Sequence, residues 1–185
     1  MLKHQAPLDL ADLWNILNKE ITGIQVMWET VENIFYLPHT YKGIADQTQY
    51  TPLLFGLMQI SMMESMLMRI ARLMDPPISG KNENLSLSQL MLKCKSVECK
   101  KEGCQEVGGD VATVRAIWGK SGLKIVRDKY LSHNDLNRLL RVPHTLHIPL
   151  APEDVTAMQE LAAALPDFRR NVHGKIMGSS YLDES

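Results

Sequence analysis

The chain has 185 residues, of which 45% are hydrophobic and 22% are charged, and its formal net charge is −1. This composition is typical of one globular domain, so residues 1–185 are expected to form a single domain. It excludes a protein whose whole surface attracts polyanions, and a nucleic-acid site must therefore be a local basic patch. The start of the chain has no signal-peptide pattern, which favours a cytoplasmic location.

Three cysteines lie at an even spacing of five residues in a lysine-rich segment: Cys94, Cys99 and Cys104. Zinc sites usually hold two closely spaced pairs of ligands, and this arrangement lacks that pattern. Free thiols are the preferred interpretation, and unpaired cysteines agree with a reducing compartment. No metal and no cofactor is expected.

Turn residues divide the sequence into long helical blocks. The first block runs from Asp9 to about Tyr36, with Gly23 as a candidate break, and its apolar residues recur at spacings of three and four. The second block runs from about Tyr50 to Met74. It ends at Asp-Pro-Pro, because proline cannot continue a helix.

The second block is the most apolar part of the chain and invites comparison with a membrane span. Its segment PLLFGLMQISMMESMLM, which begins at Pro52, contains Glu64 and is followed by Arg69 and Arg72. A carboxylate near the middle of a span is costly. We therefore predict a central core helix and no membrane partner.

Three further blocks complete the chain. The polar stretch ISGKNENLS reads as a loop, in which Asn84 or Ser86 is a candidate N-cap of a short helix. A long helix to about Leu131 is predicted to begin at Asp110, and a final helix begins at Pro152. No segment shows the sustained alternation of apolar and polar residues that is typical of a β-strand. The pattern predicts an all-α, up-and-down bundle of five to six helices.

One cluster, LKIVRDKYLSHND, has the residues for metal-independent RNA cleavage. On a continuous helix, Lys120, Lys124 and Arg127 share one face, and His133 follows Arg127 by six residues. A histidine takes a proton from the ribose 2′-OH or gives one to the leaving 5′-oxygen. An arginine stabilises the extra negative charge of the phosphorane.

The same residues also admit an ordinary structural interpretation. Charges at helical spacing usually form a solvated face, and a histidine near a helix end often complements the dipole. The six-residue spacing itself recurs twice in the chain, in the pairs Arg138/His144 and Arg141/His147. On an ideal helix, six residues turn the two side chains about 120° apart. Either the helix loosens near Ser132, or a second copy of the motif completes the site.

A second polar stripe crosses the apolar helix at Ser61, Ser65, Arg69 and Arg72. One interpretation is a solvent-facing stripe, with Arg72 paired to Asp75 three residues later. The functional interpretation is that this stripe faces the same cleft as Arg127.

Two stretches, RIARLMDPPISGKNENLSLSQLM and RDKYLSHND, together resemble the HEPN superfamily of helical RNA-processing domains. They are most similar to the abortive-infection family of type U from bacterial phage defence. The resemblance implies that Arg127 and His133 carry the cleaving groups, with Asp128 at the polar position after the arginine. It also implies a homodimer in which two motifs face one cleft. Ser132 departs from the family pattern, in which alanine usually precedes the histidine.

We therefore expect a toxin-type or abortive-infection endoribonuclease that acts on RNA as a homodimer, with an antitoxin or defence-system partner. Lys120, Lys124, Arg69 and Arg72 are the expected RNA-binding residues. The alternative is a non-catalytic helical module that dimerises and regulates another protein. A third hypothesis, nucleotide transfer to RNA or protein, requires a second protein, since the sequence has no nucleotide-binding motif.

Overall fold

A computed structural model describes residues 9–36, 52–96, 103–128 and 152–177, excepting the side chains of residues 103–105. These residues form six α-helices: α1 (Leu10–Val31), α2 (Pro52–Met74), α3 (Leu87–Lys95), α4 (Gly103–Lys120), α5 (Leu123–Val126) and α6 (Pro152–Met177). A π-helical turn (Glu32–Tyr36) extends α1. The predicted all-α fold class is confirmed.

Local capping signals define several of these helix ends. The backbone N–H of Asp12 donates to the Asp9 carboxylate at 2.7 Å, and α1 begins there. Ser86 caps α3 by accepting from the N–H of Gln89 at 3.2 Å. Each such cap stabilises a helix by about 1 kcal/mol. The candidate break at Gly23 is wrong, because α1 runs through it without interruption.

The core lies where α1 and α6 pack against each other and against α2, α3 and α4. Each helix contributes an apolar stripe at the spacing that the sequence indicates. The central contact is Trp14, which is fully buried and meets the ring of Phe168 edge-on at 6.3 Å between centroids. The Trp14 indole N–H also donates to Nδ1 of His173 at 3.1 Å, so its polar end is satisfied.

Helix α2 differs along its length from the predicted core helix. The buried residues of α2 lie in its second half, between Met63 and Met74, whereas Leu53 and Leu54 near its start are 69% and 55% exposed. The prediction is therefore correct only for the second half. By length and composition α2 could cross a membrane, a test that the core helix of a soluble protein also passes.

The predicted start of the long helix at Asp110 is wrong. Helix α4 already begins at Gly103, and Asp110 lies inside it, where its carboxylate accepts from Lys175 of α6 at 2.7 Å. This hydrogen bond, with Glu106 nearby, raises the pKa of Lys175 above its ordinary value. The role of Asp110 is therefore to bind a lysine 65 residues later in the chain, and not to start a helix.

The polar loop after α2 contains a hairpin that the sequence analysis did not predict. Strands β1 (Ile78–Ser79) and β2 (Asn82–Glu83) pair antiparallel across a two-residue turn. Gly80 has a φ of +62° there, a conformation that glycine adopts without strain. The hairpin brings Asn84 back to the end of α2, where its side chain donates to the Pro76 carbonyl at 2.8 Å.

Of the three cysteines, Cys94 is buried in α3 as a free thiol. Its burial raises the pKa of the thiol above the ordinary value, because the thiolate would lose solvation. This agrees with the free-thiol interpretation at one position. Cys99 and the Cys104 side chain lie outside the described residues.

Candidate active site

Arg127 is positioned by the short helix α5. The chain turns at Ser121, whose hydroxyl donates to the Trp118 carbonyl at 2.8 Å, and α5 then begins with Leu123. Leu123 and Val126 are buried and fix α5 to the core. Arg127 follows as the C-cap, and its backbone N–H donates to the carbonyls of Leu123 and Lys124.

The continuous helix on which Lys120, Lys124 and Arg127 would share one face is interrupted. Lys120 ends α4 and Lys124 lies in α5, and the turn at Ser121 and Gly122 separates the two helices. The 100° rotation per residue that would align them holds only on a continuous helix. Lys120 instead lines a separate groove of about 670 Å³ between α4 and α6, together with Glu153 and Glu160.

Two carboxylates hold the Arg127 guanidinium. Its Nη1 donates to Asp75 Oδ1 at 3.0 Å, across 52 residues of sequence. Its Nε and Nη2 both contact Asp128 Oδ1, at 2.7 and 2.6 Å. Partly exposed ion pairs contribute only about 0–1 kcal/mol each to stability. Their main effect is to fix the orientation of a side chain that is otherwise flexible.

The predicted pair of Arg72 and Asp75 is therefore replaced by a long-range pair. At the end of α2, the backbone N–H of Asp75 donates to the Arg72 carbonyl at 3.2 Å. The Asp75 carboxylate accepts from Arg127 and forms no ion pair with Arg72. This contact could not be predicted from the sequence, because no residue near Asp75 in the chain indicates a partner close to α5.

Arg127 retains hydrogen-bonding capacity after these contacts. A guanidinium has five N–H donors, and the bonds to Asp75 and Asp128 use three of them. One N–H on each terminal nitrogen has no acceptor within the described part of the chain. A fork of two N–H groups matches two oxygens of a phosphate.

A cavity of about 210 Å³, here called the α2-end cavity, adjoins this arginine. Its lining includes Asp75, whose carboxylate accepts from Arg127, so Asp75 links the cavity to this guanidinium, although Arg127 itself does not line it. Arg69 and Arg72 of the predicted stripe line it too, whereas Ser61, Ser65 and Arg127 are not among its lining residues. The remaining lining residues are Glu20, Leu73, Asn84 and Leu85.

Arg69 spans from α2 to α1. Its Nη1 donates to Glu20 at 3.0 Å. A Cβ placed on Gly23 would be 3.2 Å from the same nitrogen, so the absence of a side chain there admits the guanidinium. The sequence signal for this contact is the glycine at i+3 from Glu20 on one face of α1.

His133, the proposed proton-transfer residue, lies outside the described residues, as do His144 and His147 of the pairs with the same spacing. Of the predicted site residues, Arg127 contacts Asp128 and also binds Asp75, and Asp75 lines the cavity together with Arg69 and Arg72. Across residues 9–36, 52–96, 103–128 and 152–177, no group of three or more His, Cys, Asp and Glu is arranged to hold a metal ion.

The family model HEPN_AbiU2, described as AbiU2, matches residues 8–178, which is nearly the whole chain. A search of curated proteins and a search of solved structures found no match.

Proposed function

The chain belongs to the AbiU2 family of HEPN domains, and we propose that it is a metal-independent endoribonuclease of the toxin or abortive-infection type. The observation that carries the proposal is the fixed guanidinium of Arg127, which keeps two N–H donors beside a cavity with two further arginines. Such a preorganised donor pair suits the negative charge that develops in phosphodiester cleavage.

The proposed reaction is an internal transesterification. The ribose 2′-OH attacks the adjacent phosphorus, and the bond from phosphorus to the 5′-oxygen breaks. His133 acts as general base for the 2′-OH or as general acid for the leaving oxygen. Arg127 stabilises the phosphorane, and Asp128 orients Arg127. The products carry a 2′,3′-cyclic phosphate and a 5′-OH.

Two copies of the chain are proposed to share one cleft. One histidine cannot conveniently act as both acid and base in a single step, and Arg127 and His133 diverge on an ideal helix. A homodimer with facing motifs supplies the second histidine. Lys124 and Arg72 are proposed to attract the RNA backbone, whereas Lys120 lines another groove and Arg69 is paired with Glu20. In the cytoplasm, an antitoxin or another defence component would control this activity.

The deciding experiment compares His133→Ala and Arg127→Ala with wild type on labelled RNA. His133→Ala is expected to reduce cleavage by roughly 10²–10⁴ through loss of proton transfer. Arg127→Ala is expected to cost roughly 10²–10³ through loss of charge stabilisation. Activity should persist in EDTA. The matched control is His144→Ala, since His144 also follows an arginine by six residues. If the control loses activity and His133→Ala does not, the wrong pair is assigned.

A second candidate is a non-catalytic helical module that dimerises and regulates a partner. The charge around Arg127 favours this second candidate. One guanidinium beside the carboxylates of Asp75 and Asp128 leaves a negative local charge, which repels phosphate. Under this hypothesis the wild-type protein cleaves no RNA, with or without metal. Arg127→Ala would then lower only thermal stability or dimerisation.

A further inference from the structure

Arg69 and Arg72 share the α2-end cavity, yet their surroundings differ. Arg69 is tied to Glu20 of α1 at 3.0 Å and is enclosed by the backbone at Gly23. Arg72 is exposed, and its Nε donates only a long hydrogen bond, of 3.4 Å, to the carbonyl of Met68. No carboxylate of the described residues forms an ion pair with Arg72.

The two carboxylates of the cavity are already paired. Glu20 binds Arg69, and Asp75 binds Arg127. Arg72 is therefore the cation of this cavity whose charge no described carboxylate neutralises. It lies in the last turn of α2, where the helix dipole places roughly half a negative charge. A full positive charge in direct contact with an anion outweighs that opposing field.

The geometry points to a second phosphate subsite: we propose that Arg72 binds, in the α2-end cavity, the RNA backbone phosphate next to the scissile one. This inference rests on the proposed function, which puts the scissile phosphate at Arg127. Asp75 connects the two positions, since it lines the cavity and binds Arg127. An RNA strand held at Arg127 therefore passes the mouth of this cavity.

The size and lining of the cavity fit this ligand. Its volume of about 210 Å³ is roughly seven times the 30 Å³ that one water molecule occupies in the liquid. A phosphate with part of its nucleotide fits in that space. Leu73 and Leu85 offer an apolar wall to the sugar or base, and Asn84 is held at the cavity by the hydrogen bond from its Nδ2 to the Pro76 carbonyl.

The subsite divides the work of the two arginines. Arg72 binds the ligand, whereas Arg69 is a structural wall that joins α2 to α1 through Glu20. Replacing Arg72 by alanine should weaken RNA binding without loss of stability, because the side chain is exposed. Replacing Arg69 should lower thermal stability, because the Glu20 carboxylate then loses its partner.

The test measures binding of a fluorescent 2′-O-methyl RNA oligonucleotide, which lacks the attacking 2′-OH and is not cleaved. Anisotropy gives Kd over a series of salt concentrations for wild type, Arg72→Ala and Arg170→Ala. Arg170, on α6 and 71% exposed, is the matched control. Arg72→Ala is expected to bind about tenfold more weakly. The slope of log Kd against log salt should flatten by about 0.7, which is one phosphate contact on a single strand.

Each outcome bears on the subsite or on the nuclease separately. Arg170→Ala should match wild type in Kd and slope. If Arg72→Ala also matches wild type, the subsite is wrong, even where RNA cleavage is found. If Arg72→Ala loses affinity and slope but the wild type cleaves no RNA, the subsite stands as an RNA-binding site and the nuclease proposal fails. If wild type does not bind the oligonucleotide, both fail.

Discussion

Gly122 connects the fold to the candidate site, and its replacement by alanine is the sharpest test of the packing. An added Cβ would lie 2.8 Å from Oδ1 of Asp154, about 0.6 Å inside the distance at which ordinary contact begins. The backbone of Gly122, with φ −72° and ψ −6°, is open to alanine, so the conflict arises from the contact alone. Asp154 is buried on α6 and has little room to move.

The expected cost follows from this overlap. Overpacking of this kind costs about 1–3 kcal/mol, and alanine returns roughly 0.4–1 kcal/mol by restricting the unfolded chain. The net loss lies between about 0 and 2.6 kcal/mol, with a central value of about 1.3 kcal/mol. For a chain of this length, the central value lowers Tm by roughly 3–5 °C. Since α5 begins at the next residue, the same shift displaces Arg127 and should reduce RNA cleavage.

Gly119 provides the matched control three residues earlier. It lies near the end of α4, and a Cβ built there meets nothing within 4 Å. Gly119→Ala should therefore stabilise the protein by about 0.5–1 kcal/mol. Thermal unfolding followed by circular dichroism measures both variants. If Gly122→Ala is as stable as Gly119→Ala, the packing of Gly122 on Asp154 is refuted.

Three further predictions concern assembly and titration. Light scattering should find a homodimer at micromolar concentration, and a monomer throughout that range would remove the shared-cleft proposal. The raised pKa of Lys175 means that its contribution to the free energy of unfolding is complete below its ordinary pKa and is lost as pH rises through the folded value. In urea unfolding, the free energy of unfolding of wild type should exceed that of Lys175→Met by an amount that shrinks above about pH 10.5. A difference that stays constant with pH would contradict the cluster of Lys175 with Asp110. In a Cys99→Ser/Cys104→Ser variant, Cys94 should react slowly with a thiol reagent until the protein unfolds, since burial raises its pKa. Rapid reaction in the native state would show that this thiol is accessible.

Local signals in the sequence predicted the helices well. Asp9 and Ser86 cap α1 and α3, and the double proline after Asp75 coincides with the end of α2. These signals work because a cap or a proline acts on backbone groups within about four residues of itself. The repeat of apolar residues likewise assigned the buried face of α1, because helical periodicity is a property of the chain alone.

The candidate site depended on contacts that local signals do not carry. Arg127 and Asp128 were identified from their motif, but the anchor of Arg127 is Asp75, 52 residues earlier. At the turn that separates Lys120 from Lys124, Gly122 lies close against Asp154 of another helix. The sequence predicts that a helix begins at Asp110, but in the structure the Asp110 carboxylate binds Lys175. In each case a charge or a close approach from a distant segment decides the role, and only the packing of the helices brings that segment near.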